Sequence, residues 1–113
     1  MGRIEVLDDG VYQLHYDFFD FNVGVLGGSE SVLVIDSRAS HCQALEMRED
    51  VRRLTPMRID WMLNSHYHWD HTWGNFEFRD GQLWGHDPID VVAVRTRLCA
   101  IRVVDLPLGE YVP

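Results

Sequence analysis

The stretch from Asn64 to Asn75, NSHYHWDHTWGN, places His66, His68, Asp70 and His71 within six consecutive positions. Neutral imidazole nitrogens and a carboxylate are the usual non-thiolate ligands of zinc. Residues at i and i+2 of an extended segment project the same way, so His66 and His68 can grip one ion together, while Asp70 and His71 fall beyond the turn and can face a second. The plain alternative is a polar loop whose histidines bond their neighbours, the reading that His15, His41 and His86 receive when taken singly. Three histidines and an aspartate packed this closely point instead to zinc or a similar divalent ion.

Other chemistries find little support. Cys42 and Cys99 are far apart and outside any CxxC spacing, which argues against a redox motif or a thiolate zinc site, and both are read as structural core residues. No Ser/His/Asp triad can be assembled.

A ligand cluster needs elements that position it. RIEVLDDGVYQLHYD alternates apolar and polar residues around an Asp8–Gly10 turn and predicts a hairpin. NVGVLGGSESVLVIDS repeats the signal: Gly27-Gly28 is expected to supply the positive φ of a tight turn, and VLVI predicts a central strand, buried on both faces, that ends at Asp36. The period then changes, because Ala44, Met47, Val51 and Leu54 recur at helical spacing, Ser40 and Gln43 fit a capping box, and Pro56 stops the run. RIDWMLNS is a short strand leading directly into the histidines. The order strand, strand, helix, strand, loop thus sets the cluster at a strand's C-terminal end, where α/β sheets bind ligands. GQLWGH predicts a further strand. DPIDVVAVRTRLCAI predicts a second helix, with Asp87 as N-cap and Pro88 at the first helical position.

At 113 residues the chain is one domain at most, and no run approaches the roughly 18 unbroken apolar residues of a membrane span. Its formal net charge of −8 repels nucleic-acid phosphates and anionic lipid. No nucleic acid and no membrane is therefore expected as a partner. An acidic pair stands where a signal peptide would carry its apolar segment, so the cytoplasm is the expected location.

HYHWDH, following this order of elements, resembles the HxHxDH signature of the metallo-β-lactamase superfamily, and VIDS resembles that family's strand-end aspartate before its first helix. The resemblance runs from the first hairpin to QLWGH. It implies an α/β fold, the αββα sandwich of that family with about one βα half present, so that residues 1–113 form a single partial domain. It also implies that His66 and His68 bind a first Zn2+ and Asp70 and His71 a second, with a metal-activated hydroxide as nucleophile that Asp70 orients. Asp36 would act behind the ligands, accepting an imidazole N–H and fixing the ligating tautomer; otherwise it is a strand-terminal turn former. The substrate would be a small ester, thioester, lactone, lactam or phosphoester.

The chain departs from the family pattern in several places. Thr72, Gly74 and Asn75 resemble the turn after the motif, but Trp73 stands where a second glycine is common, either lining a pocket or covering the core. YDFFDF, residues 16–21, is either a substrate-facing aromatic loop or an apolar turn sealing the sandwich edge. A complete member adds a third histidine, a bridging carboxylate and a last histidine, none of which can be placed here. His86 matches a position where members often carry a non-ligand histidine. A half-domain would leave one sheet face uncovered, so self-association or a complementary second half is expected. The alternative function is a non-catalytic metal-binding fragment that assembles through that face.

Overall fold

A computed structural model describes residues 1–85 of the chain. The helix expected from Asp87, together with His86 and Cys99, lies outside the described residues.

The first hairpin forms where the alternation and the glycine require it. Strand β1 (Arg3–Asp8) pairs antiparallel with β2 (Val11–Tyr16). Gly10 turns the chain at φ 72°, a left-handed conformation that glycine adopts without steric cost. Strand β3 (Phe21–Gly27) continues antiparallel, followed by β4 (Ser31–Ile35). The turn between β3 and β4 corrects the expectation for Gly27-Gly28. Neither residue has positive φ, and the turn closes instead through a hydrogen bond from the Gly28 N–H to the Ser31 carbonyl at 2.8 Å.

Helix α1 (His41–Leu54) crosses from β4 to β5 (Arg58–Leu63), which runs parallel to β4, and β6 (Gln82–Trp84) is parallel to β5. Ser40 caps α1 by accepting the Gln43 N–H at 3.2 Å, and the Gln43 amide oxygen accepts the N–H of Ala39 at 3.1 Å. The capping pair thus secures the residue before the cap as well as the helix. Arg52 and Arg53 occupy the last turn, where the helix dipole favours cations.

The sheet order is β1-β2-β3-β4-β5-β6. On one face Leu14, Val23, Val25, Val32, Val34 and Met62 form a core with Ala44, Met47 and Val51 of α1. Burying a side chain of this size stabilises the fold by roughly 1.5–3 kcal/mol. The other face is different. Leu26, Leu33 and Trp61 lie side by side across three strands, as do Ile35, Leu63 and Trp84 in the next row. Leu26, Trp61, Leu63 and Trp84 are exposed, and Leu33 and Ile35 are only partly covered. This corrects the reading of VLVI as buried on both faces: among the described residues a layer covers only the face toward α1. Cys42 also departs from expectation, lying on the exposed side of α1 and not in the core.

Candidate metal centre

Because β4 and β5 are parallel, their C-terminal ends emerge at one edge of the sheet, and the loops that follow meet there. Asp36 leaves β4 at φ 71°, and Arg38 follows at φ 69°. Non-glycine residues rarely adopt these left-handed conformations, and here surrounding bonds hold both. The Asp36 N–H donates to the Leu63 carbonyl at 2.8 Å. The Arg38 guanidinium stacks 3.7 Å from the centre of the Tyr16 ring and donates to Glu46 Oε1 at 2.6 Å.

The loop after β5 carries the histidines. His68 begins the short helix α2 (Trp69–Thr72), with its carbonyl accepting from the His71 N–H at 2.9 Å and from Thr72 Oγ1 at 3.1 Å. That turn brings Asp70 and His71 back toward His66. The His66 ring centre stands 4.0 Å from that of His71 and 4.6 Å from that of His68. Asp70 Oδ2 is 3.5 Å from His71 Nε2.

Behind these side chains lies a hydrogen-bonded base. Asp36 Oδ2 is 2.8 Å from His71 Nδ1 and accepts from Ser65 Oγ at 2.7 Å, while Asp36 Oδ1 accepts the Ser65 N–H at 2.8 Å. Ser65 Oγ also lies 2.9 Å from His66 Nδ1. Asp36 therefore does more than end the strand: it bonds both the Ser65 N–H and hydroxyl and the His71 ring. Ser65, Ser37 and Asn64 were not legible as site residues, and Asn75 was read only as part of the turn after the motif. Ser37 and Asn64 hold the carbonyl of His71 through the Ser37 N–H at 3.0 Å and Asn64 Nδ2 at 2.9 Å. Gly74 permits this closeness, since a Cβ there would stand 2.0 Å from the Ser37 carbonyl oxygen.

Burial, followed by the neighbouring His71 and His68, holds the His66 pKa below the usual imidazole range despite the opposing charges of Asp36 and Asp70. The neutral form it favours is the form that binds metal. As placed, no group of three or more His, Cys, Asp or Glu side chains among the described residues makes a finished metal-holding set. The donor chemistry nevertheless fits an ion. His66 and His71 each have Nδ1 engaged by the base, which leaves Nε2 for another partner, and a carboxylate oxygen stands beside one of those nitrogens.

The aromatic residues divide between two roles. Phe21 is buried with its ring centre 4.6 Å from that of His71, whereas Phe18 and Phe19 remain exposed beside the centre, and Phe19 lies 5.5 Å from Trp69. A shallow crevice joins Phe18, Phe19, Phe21, Arg38 and Asp70. Trp73 is buried, with its ring centre 5.6 Å from that of Trp69. His15 and His41 bond their neighbours, His15 through Asn22 and His41 through Glu77.

The family model for the metallo-beta-lactamase superfamily matches residues 17–82, more than half of the chain. The chain belongs to the metallo-beta-lactamase superfamily. Its fold is shared with a metallo-beta-lactamase from Hirschia baltica, at a TM-score of 0.65 and 14% identity over 83% of this chain and 47% of that one. The FIM-1 metallo-beta-lactamase from Pseudomonas aeruginosa, solved in a mono-zinc form, aligns at a TM-score of 0.66 and 14% identity over 83% of this chain and 46% of its own. A metallo-beta-lactamase from Cronobacter sakazakii aligns at 0.60 and 20% identity, over 72% and 33% respectively. The chain thus spans a third to just under a half of these metallo-beta-lactamases. No curated protein matches it. The superfamily fold is that of metal-dependent hydrolases, and residues 17–82 contain Asp36, Ser65 and the whole histidine stretch. No helix among the described residues is long and apolar enough to cross a membrane.

Proposed function

We propose that this chain is the N-terminal βα half of a metal-dependent hydrolase, working in the cytoplasm on a small ester, thioester, lactone, lactam or phosphoester. His66, His68, Asp70 and His71 are the residues that would hold zinc, as one ion or two. The observation that carries the reading is the bond between Asp36 Oδ2 and His71 Nδ1, 2.8 Å, in a superfamily member whose other candidate ligands adjoin His71. A carboxylate behind an imidazole fixes the tautomer and raises its basicity as a ligand. When bound, a divalent ion would lower the pKa of water toward about 7 and polarise the bond under attack.

The chain's own residues would do the rest. Asp70 Oδ2, partly exposed at the crevice, would accept a hydrogen bond from the attacking water and orient it. Phe18 and Phe19 would shield an apolar part of the substrate from solvent. The four candidate ligands among the described residues are fewer than two catalytic zinc ions take from protein, since each normally has three. We therefore place the missing ligands on a complementary βα half that packs against the uncovered sheet face.

The experiment is metal analysis of the purified chain beside a His66→Ala, His68→Ala double variant, with zinc-dependent hydrolysis of the five substrate classes measured across protein concentration. Zinc lost in the double variant, with activity that appears only on assembly, is the expected result. Equal zinc loading in both proteins refutes the ligand assignment.

A further inference from the structure

We infer that Ser65 is a positioning residue that carries the hold of Asp36 across to His66, so that one carboxylate decides which nitrogen both His66 and His71 present. The inference rests on the reading of those two rings as metal-facing.

The argument is one of proton count. A serine hydroxyl has a single proton, and an ionised carboxylate has none to give. At 2.7 Å the proton between Ser65 Oγ and Asp36 Oδ2 belongs to Ser65 and is donated to the carboxylate. Ser65 Oγ is then only an acceptor toward His66 Nδ1, 2.9 Å away, so that nitrogen must carry its own proton. A neutral imidazole protonated on Nδ1 has its lone pair on Nε2. Reversing the order, with Ser65 donating to His66, would set two unprotonated oxygens 2.7 Å apart and cost the buried Asp36 carboxylate a bond.

The same logic acts directly on the other ring. Asp36 Oδ2 is 2.8 Å from His71 Nδ1, which must donate and therefore also leaves its lone pair on Nε2. The carboxylate cannot rotate to escape these duties, because Asp36 Oδ1 is engaged by the Ser65 N–H at 2.8 Å and the residue is almost fully buried. His68 supplies an internal contrast: among the described residues its ring makes no hydrogen bond to a carboxylate or hydroxyl.

The test reads the imidazole nitrogens by 15N NMR in the metal-free 113-residue chain, at a pH where the rings are neutral. His66 and His71 should both be Nδ1–H, and His68 a mixture of tautomers. Ser65→Ala should release His66 into a mixture and leave His71 unchanged, while Ser65→Thr, which keeps the hydroxyl, should restore it. Zinc affinity should fall about 10–100-fold in Ser65→Ala and recover in Ser65→Thr. His66 found as Nε2–H in the wild type overturns the inference without any variant, as does a His66 that stays Nδ1–H in Ser65→Ala. A tautomer shift in a chain that never binds zinc sustains the relay and removes the metal reading, so the two failures are separable.

Discussion

Asn64 and Asn75 face each other as a reciprocal amide pair. Asn75 Nδ2 donates to Asn64 Oδ1 at 2.6 Å, and Asn64 Nδ2 donates to Asn75 Oδ1 at 3.0 Å. Both residues are buried, and Ser37 Oγ adds a third bond, to Asn75 Oδ1 at 2.7 Å. Truncating Asn75 to alanine strands the Asn64 side-chain carbonyl oxygen out of water and leaves the Ser37 hydroxyl only its longer bond, to the His71 carbonyl at 3.1 Å. Each buried polar group left unpaired costs about 1–3 kcal/mol. The Asn75→Ala variant should therefore unfold at clearly lower urea than the wild type, with the same slope. A midpoint shift worth less than about 0.5 kcal/mol, the range of ordinary surface changes, would contradict the network.

Tyr16 gives the chain a signature at high pH. Burial, then the hydrogen bond from its hydroxyl to Asp50 Oδ2 at 2.8 Å, then the Asp50 charge, push the phenol well above its ordinary value. The folded pKa lies above the unfolded one, so this contribution to stability is whole below about pH 10 and is lost as pH rises beyond it. Ultraviolet titration should find one tyrosine silent until the chain unfolds. The Tyr16→Phe variant should lose that silent group and show a shallower decline in stability above pH 10, although it is less stable at neutral pH for want of the bond. A Tyr16 that ionises with the exposed phenols would refute the assignment.

The rows Leu26, Leu33, Trp61 and Ile35, Leu63, Trp84 make an apolar surface that isolated monomers rarely carry. On the proposed half-domain reading, the purified chain should self-associate. Sedimentation velocity across a dilution series should show the average mass falling with concentration, and a Trp61→Lys, Trp84→Lys double variant should shift the balance toward monomer. A wild type that stays monomeric throughout would count against the half-domain picture.

Local signals account for what could be read from the chain beforehand. The Asp8–Gly10 turn, the spacing of Ala44, Met47 and Val51, and the Ser40 cap each act over a few residues, and each appears as expected. The histidine cluster was visible because its donor types are contiguous. Ser65, Ser37 and Asn64 were not, because they are ordinary turn residues until the parallel pairing of β4 with β5 brings their loops together. Asp36 could be singled out as a strand end, but its left-handed backbone is a product of bonds that converge from elsewhere. The Gly27-Gly28 turn and exposed Cys42 show the converse, in which residue type suggested a conformation or a place that the packing did not require.

His66, His68, Asp70 and His71 are neighbours along the chain, whereas the bonds from Asp36 to Ser65 and His71, and from Ser37 to Asn75, span 29 to 38 residues. On the proposed ligand set, an unfolded chain already has every donor within reach of a single ion. Metal that binds the unfolded state cancels part of the stability it lends the folded one. The order of addition therefore governs refolding: with chelator present the loops meet first and the rings are set, whereas zinc added early is gathered by imidazoles whose tautomers nothing has yet chosen.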